Sequence, residues 1–267
     1  MQRDRVQELN LPMSSMQRLF LRHRHRLFIL LLAALTAVVV AVPHFSATAQ
    51  ITQATIVEIL DSDEVFVEEE KAAVDSIADF GQNVHTEEAR AGLVFINDLA
   101  VGRLGEDSSV IVGQCVEVQN GQLIASGPVN GCLSGFLVDV RGTIFIVDAD
   151  DNKGNFKVLE GNIQVRNPDR GQEIEVGQLQ QLGRLDRDEP EVSRIDFEDL
   201  VKILAGAFFR GFEVRLPNEE KLIAICNEER IRLIQEAGDA GPIVASRLPQ
   251  CPTELGVRVE PPVRLPF

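Results

Sequence analysis

The sequence predicts a mainly β fold, a sandwich, roll or solenoid-like arrangement of short strands, with a small α-helical region at its C-terminal side. Three observations predict it. Glycine and asparagine turn signals recur every six to twelve residues from Ile51 to about Gly183. Between them lie short arms in which apolar residues alternate, as in Val110, Val112 and then Val116, Val118. After Glu191 the apolar period changes from 2 to 3.6.

Residues 1–49 read as an export signal or a membrane anchor. Leu27–Val42 is an uncharged run of 16 residues preceded by Arg22, Arg24 and Arg26, and Ala47-Thr48-Ala49 offers small residues for cleavage before Gln50. A permanent span wants about 20 apolar residues, so cleavage and retention are both open.

Residues 50–190 form the β domain. Its arms are Thr55–Leu60, Val65–Glu68, Gly92–Ile96, Val110–Val112, Val116–Val118, Leu123–Ala125 and Phe136–Val140. Asn120-Gly121 is the sharpest hairpin signal, because both residues tolerate positive φ. The centre of the domain is Arg141–Val165. There Ile144, Phe145 and Val147 form one arm, Asp150–Gly154 a polar turn, and Phe156–Leu159 and Ile163–Val165 two arms broken at Gly161.

Residues 191–240 should hold two amphipathic helices. Ser193 is placed to cap the first, whose Phe197, Leu200, Val201, Leu204 and Phe208 share one sector. Asn218 is placed to cap the second, with Leu222, Ile223, Cys226, Leu233, Ile234 and Ala237 on one face. Residues 241–267 contain six prolines and read as an extended surface tail.

Composition narrows the chemistry. The formal charge is −15. Residues 1–49 hold six arginines against Asp4 and Glu8, which leaves 20 basic against 39 acidic residues beyond them. A body this acidic repels phosphate backbones, so no nucleic-acid partner is expected. Tryptophan and tyrosine are absent, which weighs against a polysaccharide-binding platform. His85 is the sole histidine after residue 49, and it reads as exposed and inert. Glycine-framed serine elbows, phosphate loops and dinucleotide fingerprints are missing. The expectation is a protein that is not an enzyme and needs no cofactor or metal. Asp148, Asp150 and Asn152 have the alternating spacing of a calcium loop, but Lys153 displaces the required glycine and Leu159 stands where the closing acid belongs.

Cys115, Cys132, Cys226 and Cys251 permit three disulfide connectivities. Proximity in sequence favours Cys115–Cys132, which would clip a hairpin, and Cys226–Cys251, which would pin the proline-rich tail to the second helix.

Residues from about 81 to 165 carry a further pattern. Gly81-Gln82-Asn83-Val84-His85-Thr86, Ala91-Gly92-Leu93-Val94-Phe95 and Val101–Ser109 are followed by Val140-Arg141-Gly142-Thr143-Ile144-Phe145 and then Val158-Leu159-Glu160-Gly161-Asn162-Ile163-Gln164-Val165. In this order they resemble the FecR-like periplasmic domain of bacterial regulators. Gly142, Thr143, Phe145, Leu159, Gly161 and Val165 are the motif positions, and their roles read as structural: turn geometry at the two glycines, inward strand positions at Leu159 and Val165. The resemblance implies an exported domain that senses a protein or ligand in the envelope, in the periplasm or at the cell surface. Its partner is expected to be an envelope protein, with membrane contact only through an uncleaved N-terminal segment. Such regulators also carry a cytoplasmic domain, and the 26 residues ahead of the apolar run are shorter than that. The alternatives are a single-pass inner-membrane subunit contacting a cytoplasmic regulator, and a surface module that binds polysaccharide.

Overall fold

A computed structural model describes residues 51–95, 99–140, 142–149, 154–185 and 189–256. The export segment, Asp150 and Asn152 of the acidic turn, and the tail from residue 257 onward lie outside the described residues.

Two nine-stranded sheets face each other. From edge to edge the first runs Glu191–Arg194, Gln180–Gly183, Asn155–Glu160, Thr143–Asp148, Gln122–Gly127, Ala100–Leu104, Arg90–Phe95, Gln53–Leu60 and Ile77–Asp79. The second runs Gln172–Gly177, Asn162–Asn167, Phe136–Val140, Gly131–Leu133, Val116–Asn120, Ser109–Ile111, Asn83–Thr86, Val65–Val67 and Glu70–Lys71. The fold is mainly β, with a small C-terminal helical part. The chain lays down one or two strands in one sheet, crosses to the other, and so advances along the sandwich from one end to the other. Each strand therefore pairs with near neighbours in sequence, which keeps the loop-closure cost of every pairing small.

The two sheets bury one core, with Ile56, Leu93, Phe95, Leu104, Phe136, Phe145, Phe156 and Val165 among its members. A second core lies on the outer face of the first sheet. There Val101, Ile124, Ile144, Ile146 and Leu159 meet Phe197, Leu200, Val201, Leu204, Phe208, Leu222, Ile225 and Cys226 from the helical part. The strand sequences record this difference. Thr143–Asp148 and Ala100–Leu104 are buried at every position because both faces are covered. Phe136–Val140 alternates buried with half-buried residues, because among the described residues no such cover lies on the second sheet.

Corners between the sheets use glycine. Gly121 (φ 68°) joins Val116–Asn120 in the second sheet to Gln122–Gly127 in the first, so Asn120-Gly121 is a sheet-to-sheet corner and not a hairpin. Positive φ serves both turns equally, and the packing of the flanking strands decides between them. A Cβ at Gly121 would stand 2.7 Å from the Asp107 carbonyl oxygen and from the Ser108 Cα. Gly142 (φ 68°) and Gly161 (φ 85°) make the corresponding corners on either side of Thr143–Glu160.

Three helices follow: α1 (Phe197–Leu204), α2 (Lys221–Glu236) and α3 (Gly241–Arg247). The α1 cap is Asp196, whose carboxylate accepts from the Glu198 N–H at 2.8 Å. Ser193 belongs instead to the edge strand Glu191–Arg194, because that stretch extends the first sheet by one more strand. Asn218 does not cap α2. It sits at φ 66° in the turn before the helix, and Glu220 takes the N-cap position without a side-chain bond. The buried face of α2 is Leu222, Ile225, Cys226 and Glu229, while Ile223 and Ile234 are only half-buried. Residues 241–247 are helical rather than extended. Pro242 falls in the first turn of α3, where its missing N–H has no partner to lose.

Candidate functional site

The four predicted cysteines form the two expected bridges, Cys115–Cys132 with Cα atoms 5.7 Å apart and Cys226–Cys251 at 6.0 Å. The first does not clip a hairpin. Cys115 leads into Val116–Asn120, which pairs in parallel with Gly131–Leu133, the strand that carries Cys132. The intervening strand Gln122–Gly127 lies in the other sheet, so the bridge ties adjacent strands across an excursion of the chain. The second bridge joins α2 to the segment after α3.

Five of the six motif positions lie in Thr143–Asp148 and Asn155–Glu160 of the first sheet or at their corners, and Val165 lies in Asn162–Asn167 of the second. Thr143 Oγ1 donates to the Asn162 carbonyl at 2.8 Å, and a Cβ on Gly161 would come within 2.9 Å of that hydroxyl oxygen. Phe145 and Val165 enter the core between the sheets, whereas Leu159 faces the helices. Both strand positions are inward, but toward different cores.

Two arginines fasten the helical cover, and sequence patterning did not single them out. Arg103 is 2% exposed. Its guanidinium donates to the carbonyls of Phe208 (2.7 Å) and Val214 (2.8 Å) and to Glu219 Oε2 (3.0 Å). It also lies 4.8 Å from the centroid of Phe212 and 5.5 Å from that of Phe209. Burial pulls the Arg103 pKa down and Glu219 works against that shift. Arg90 donates to the carbonyls of Ala207 and Arg210 and pairs with Asp61. Glu58 Oε1 completes the clamp by accepting the N–H groups of Glu213 (2.6 Å) and Val214 (3.1 Å). The available signal was a charged residue within an apolar strand, Val101-Gly102-Arg103-Leu104.

Acid should loosen this cover. Hydrogen bonds from Arg232 and Arg194 hold Glu229 of α2 below its ordinary 4.5, and Arg90 holds Asp61 below 3.8. Depressed folded-state values contribute stability that is present above the unfolded pKa and lost as pH falls through the folded one. The expected result is a melting temperature that is level near neutrality and drops as pH falls below about 4.5. A midpoint unchanged down to pH 3 would contradict these pairings.

His85 is half-buried rather than exposed, stacked on Phe66 with centroids 4.9 Å apart. Nearby hydroxyls are committed elsewhere: Ser109 Oγ donates to Asn83 Oδ1 and Ser108 Oγ to the Glu106 carbonyl. Asp148 accepts from Gln122 Nε2 at 2.9 Å and lies 3.9 Å from Lys157 Nζ. Gln122, Asp148 and Lys157 line an open cleft of about 660 Å³ together with Ile146 and Phe208, between the sheet corners and the end of α1. Among the described residues no group of three or more potential ligands could hold a metal ion, and no helix is long and apolar enough to cross a membrane.

The strongest surface signal lies at the end of the sandwich where the chain begins its first strands. Val74 (51% exposed), Ile77 (52%) and Phe80 (54%) stand there within seven residues of sequence. An open groove of about 690 Å³ at this end is lined by Glu68, Glu69, Glu70 and Asp79 together with Val67, Ile77 and Lys71, whose ammonium pairs with Asp63. An exposed apolar group beside a mainly acidic groove suits a protein surface better than a small molecule.

No protein-family model matches the chain, and no curated protein matches it. Two crystal structures from Parabacteroides distasonis, each provisionally described as an anti-sigma factor, are similar to part of it. One shares 15% identity over 48% of this chain and 66% of the other, with a TM-score of 0.39. The second shares 16% identity over 42% of this chain and 59% of the other, with a TM-score of 0.33. This chain thus spans less than two thirds of the length of either. Likeness this slight assigns neither fold nor function.

Proposed function

We propose that this protein is an exported, non-enzymatic binding module that acts in envelope sensing or signalling by docking a protein partner. The observation that carries this reading is the exposed Val74, Ile77 and Phe80 group on the acidic end of the sandwich. The FecR-like motifs support a sensing role. Two disulfides support an oxidising compartment, the periplasm or the cell surface, since such bridges persist where thiols are not kept reduced. The acidic body argues against nucleic acid as the partner.

A photo-crosslinking amino acid at position 80, expressed in the native envelope, should capture one discrete partner. The Ile77→Asp variant should lose that product while keeping the wild-type melting temperature, because Ile77 is already half in water. Capture that is equal in the variant, or no different from a mock-treated envelope, would overturn the reading. Intact mass of the mature protein decides the mode of export: cleavage leaves Gln50 as the first residue, whereas a single-pass inner-membrane form retains the run at 27–42.

A further inference from the structure

The opposite end of the sandwich carries a different feature. Gln172–Gly177 is the edge strand of the second sheet, six residues long, and among the described residues no strand pairs with its outer side. Its pairing with Asn162–Asn167 is regular from Asn167↔Gln172 to Asn162↔Gly177. The Gly177 N–H turns away from that neighbour to donate to Gln180 Oε1 at 2.8 Å. Outward and inward backbone groups alternate with a period of two along an antiparallel strand. The N–H and C=O of Glu173 and Glu175 therefore also point outward, toward a position that no described strand fills.

The side chains divide the same way. Val176 is buried in the core between the sheets and Ile174 is packed half-buried against it, so the rim of the core is apolar. Glu173 and Glu175 are exposed on the outer face of the second sheet, which no described helix covers. Across the ladder Glu173 faces Arg166, but the Arg166 guanidinium donates to Asp139 Oδ2 at 2.6 Å. Glu175 receives one bond, from Asn162 Nδ2 at 3.0 Å.

We propose that this edge accepts an extended segment of a partner protein as an added antiparallel strand, the segment alternating apolar residues with lysine or arginine. The outward N–H and C=O pairs at Glu173 and Glu175 supply a main-chain ladder. Apolar residues of the incoming strand cover Ile174, and basic residues meet the two glutamates as cross-strand pairs. The same charges select against a second copy of this chain. Two-fold pairing of the strand with itself keeps each residue on its own face, so Glu173 and Glu175 would lie opposite glutamates. Acidic side chains on an edge deter indiscriminate pairing, and here they leave a basic strand as the complementary occupant. The inference is independent of the apolar end at Val74–Phe80, because the two surfaces lie at opposite ends of the sheets.

The test uses the mature protein and capped hexapeptides that alternate valine with lysine or arginine, followed by amide chemical shifts. The basic peptide should shift residues 172–177 and their neighbours in 162–167, and a valine–glutamate peptide should not. Glu175→Pro removes one outward N–H, a change that edge strands tolerate, and should weaken binding at least ten-fold without altering the fold. The double reversal Glu173→Lys, Glu175→Lys should exchange the preference for the acidic peptide, which keeps the test decisive if the proline variant is unstable. Equal binding of both peptides, no binding, or shifts confined to other strands would overturn the proposal. So would a concentration-dependent dimer that Glu175→Pro abolishes, since that assigns the edge to a second copy.

Discussion

Replacing Arg103 with alanine is expected to destabilise the protein by about 3–5 kcal/mol, the cost of removing one partner from a buried ion pair. The substitution takes away three hydrogen bonds and leaves Glu219 beside them, itself only 9% exposed. Two carbonyls that Arg103 now satisfies, those of Phe208 and Val214, would lose a charged donor between the sheet and its cover. Lysine should rescue little, because a single ammonium cannot span two carbonyls and a carboxylate in the way a planar fork does. A more telling comparison is Arg103→Met with Glu219→Gln. That pair keeps the volume and removes the stranded charge, so it should recover a substantial part of the loss. Unfolding must be followed by circular dichroism or calorimetry, since the chain has neither tryptophan nor tyrosine. A drop of under 1 kcal/mol for the alanine variant would mean that the cover is held without Arg103, by its apolar contacts and by Arg90 and Glu58.

The position of Arg103 shows where sequence reasoning stopped. Alternation and turn residues located the strands well, because the inter-sheet core imposes a period of two on Phe136–Val140 and on Val116–Asn120. They could not tell which sheet a strand would join. Gly121 and Gly161 adopt positive φ at corners, Ser134 and Gly135 at a hairpin, and the local backbone demand is similar in both. The near-continuous apolar run Ile144–Val147 was a clue that one sheet is covered on both faces. Its meaning depended on the distant helical part that supplies the cover. Arg103 answers to carbonyls more than a hundred residues away, and no local pattern encodes that. The α1 cap was missed by a nearer competition. Ser193 and Asp196 are both competent caps, and the edge strand claimed the serine.

Loss of the Cys226–Cys251 bridge is the second large effect. Its closed loop spans 25 residues, for which the chain-entropy account gives about 3 kcal/mol. The Cys115–Cys132 loop of 17 residues gives nearly the same figure, so the two serine double variants should have similar midpoints. Their local consequences should differ. Cys115 precedes, and Cys132 belongs to, one of two neighbouring parallel strands whose ladder persists without the bridge. Beyond α3, by contrast, the described chain returns to the core through few hydrogen bonds, the Pro249 carbonyl accepting from Arg230 and the Gly256 N–H donating to Leu204 at 2.8 Å, with Leu248 and Leu255 only partly buried against the core. Cys226→Ser with Cys251→Ser should therefore open residues 238–256 to protease under native conditions, while Cys115→Ser with Cys132→Ser leaves them protected. Equal cleavage of both variants at that segment would show that the bridge acts only on the unfolded chain, and that the C-terminal cover is fastened by Arg90 and Arg103 without it.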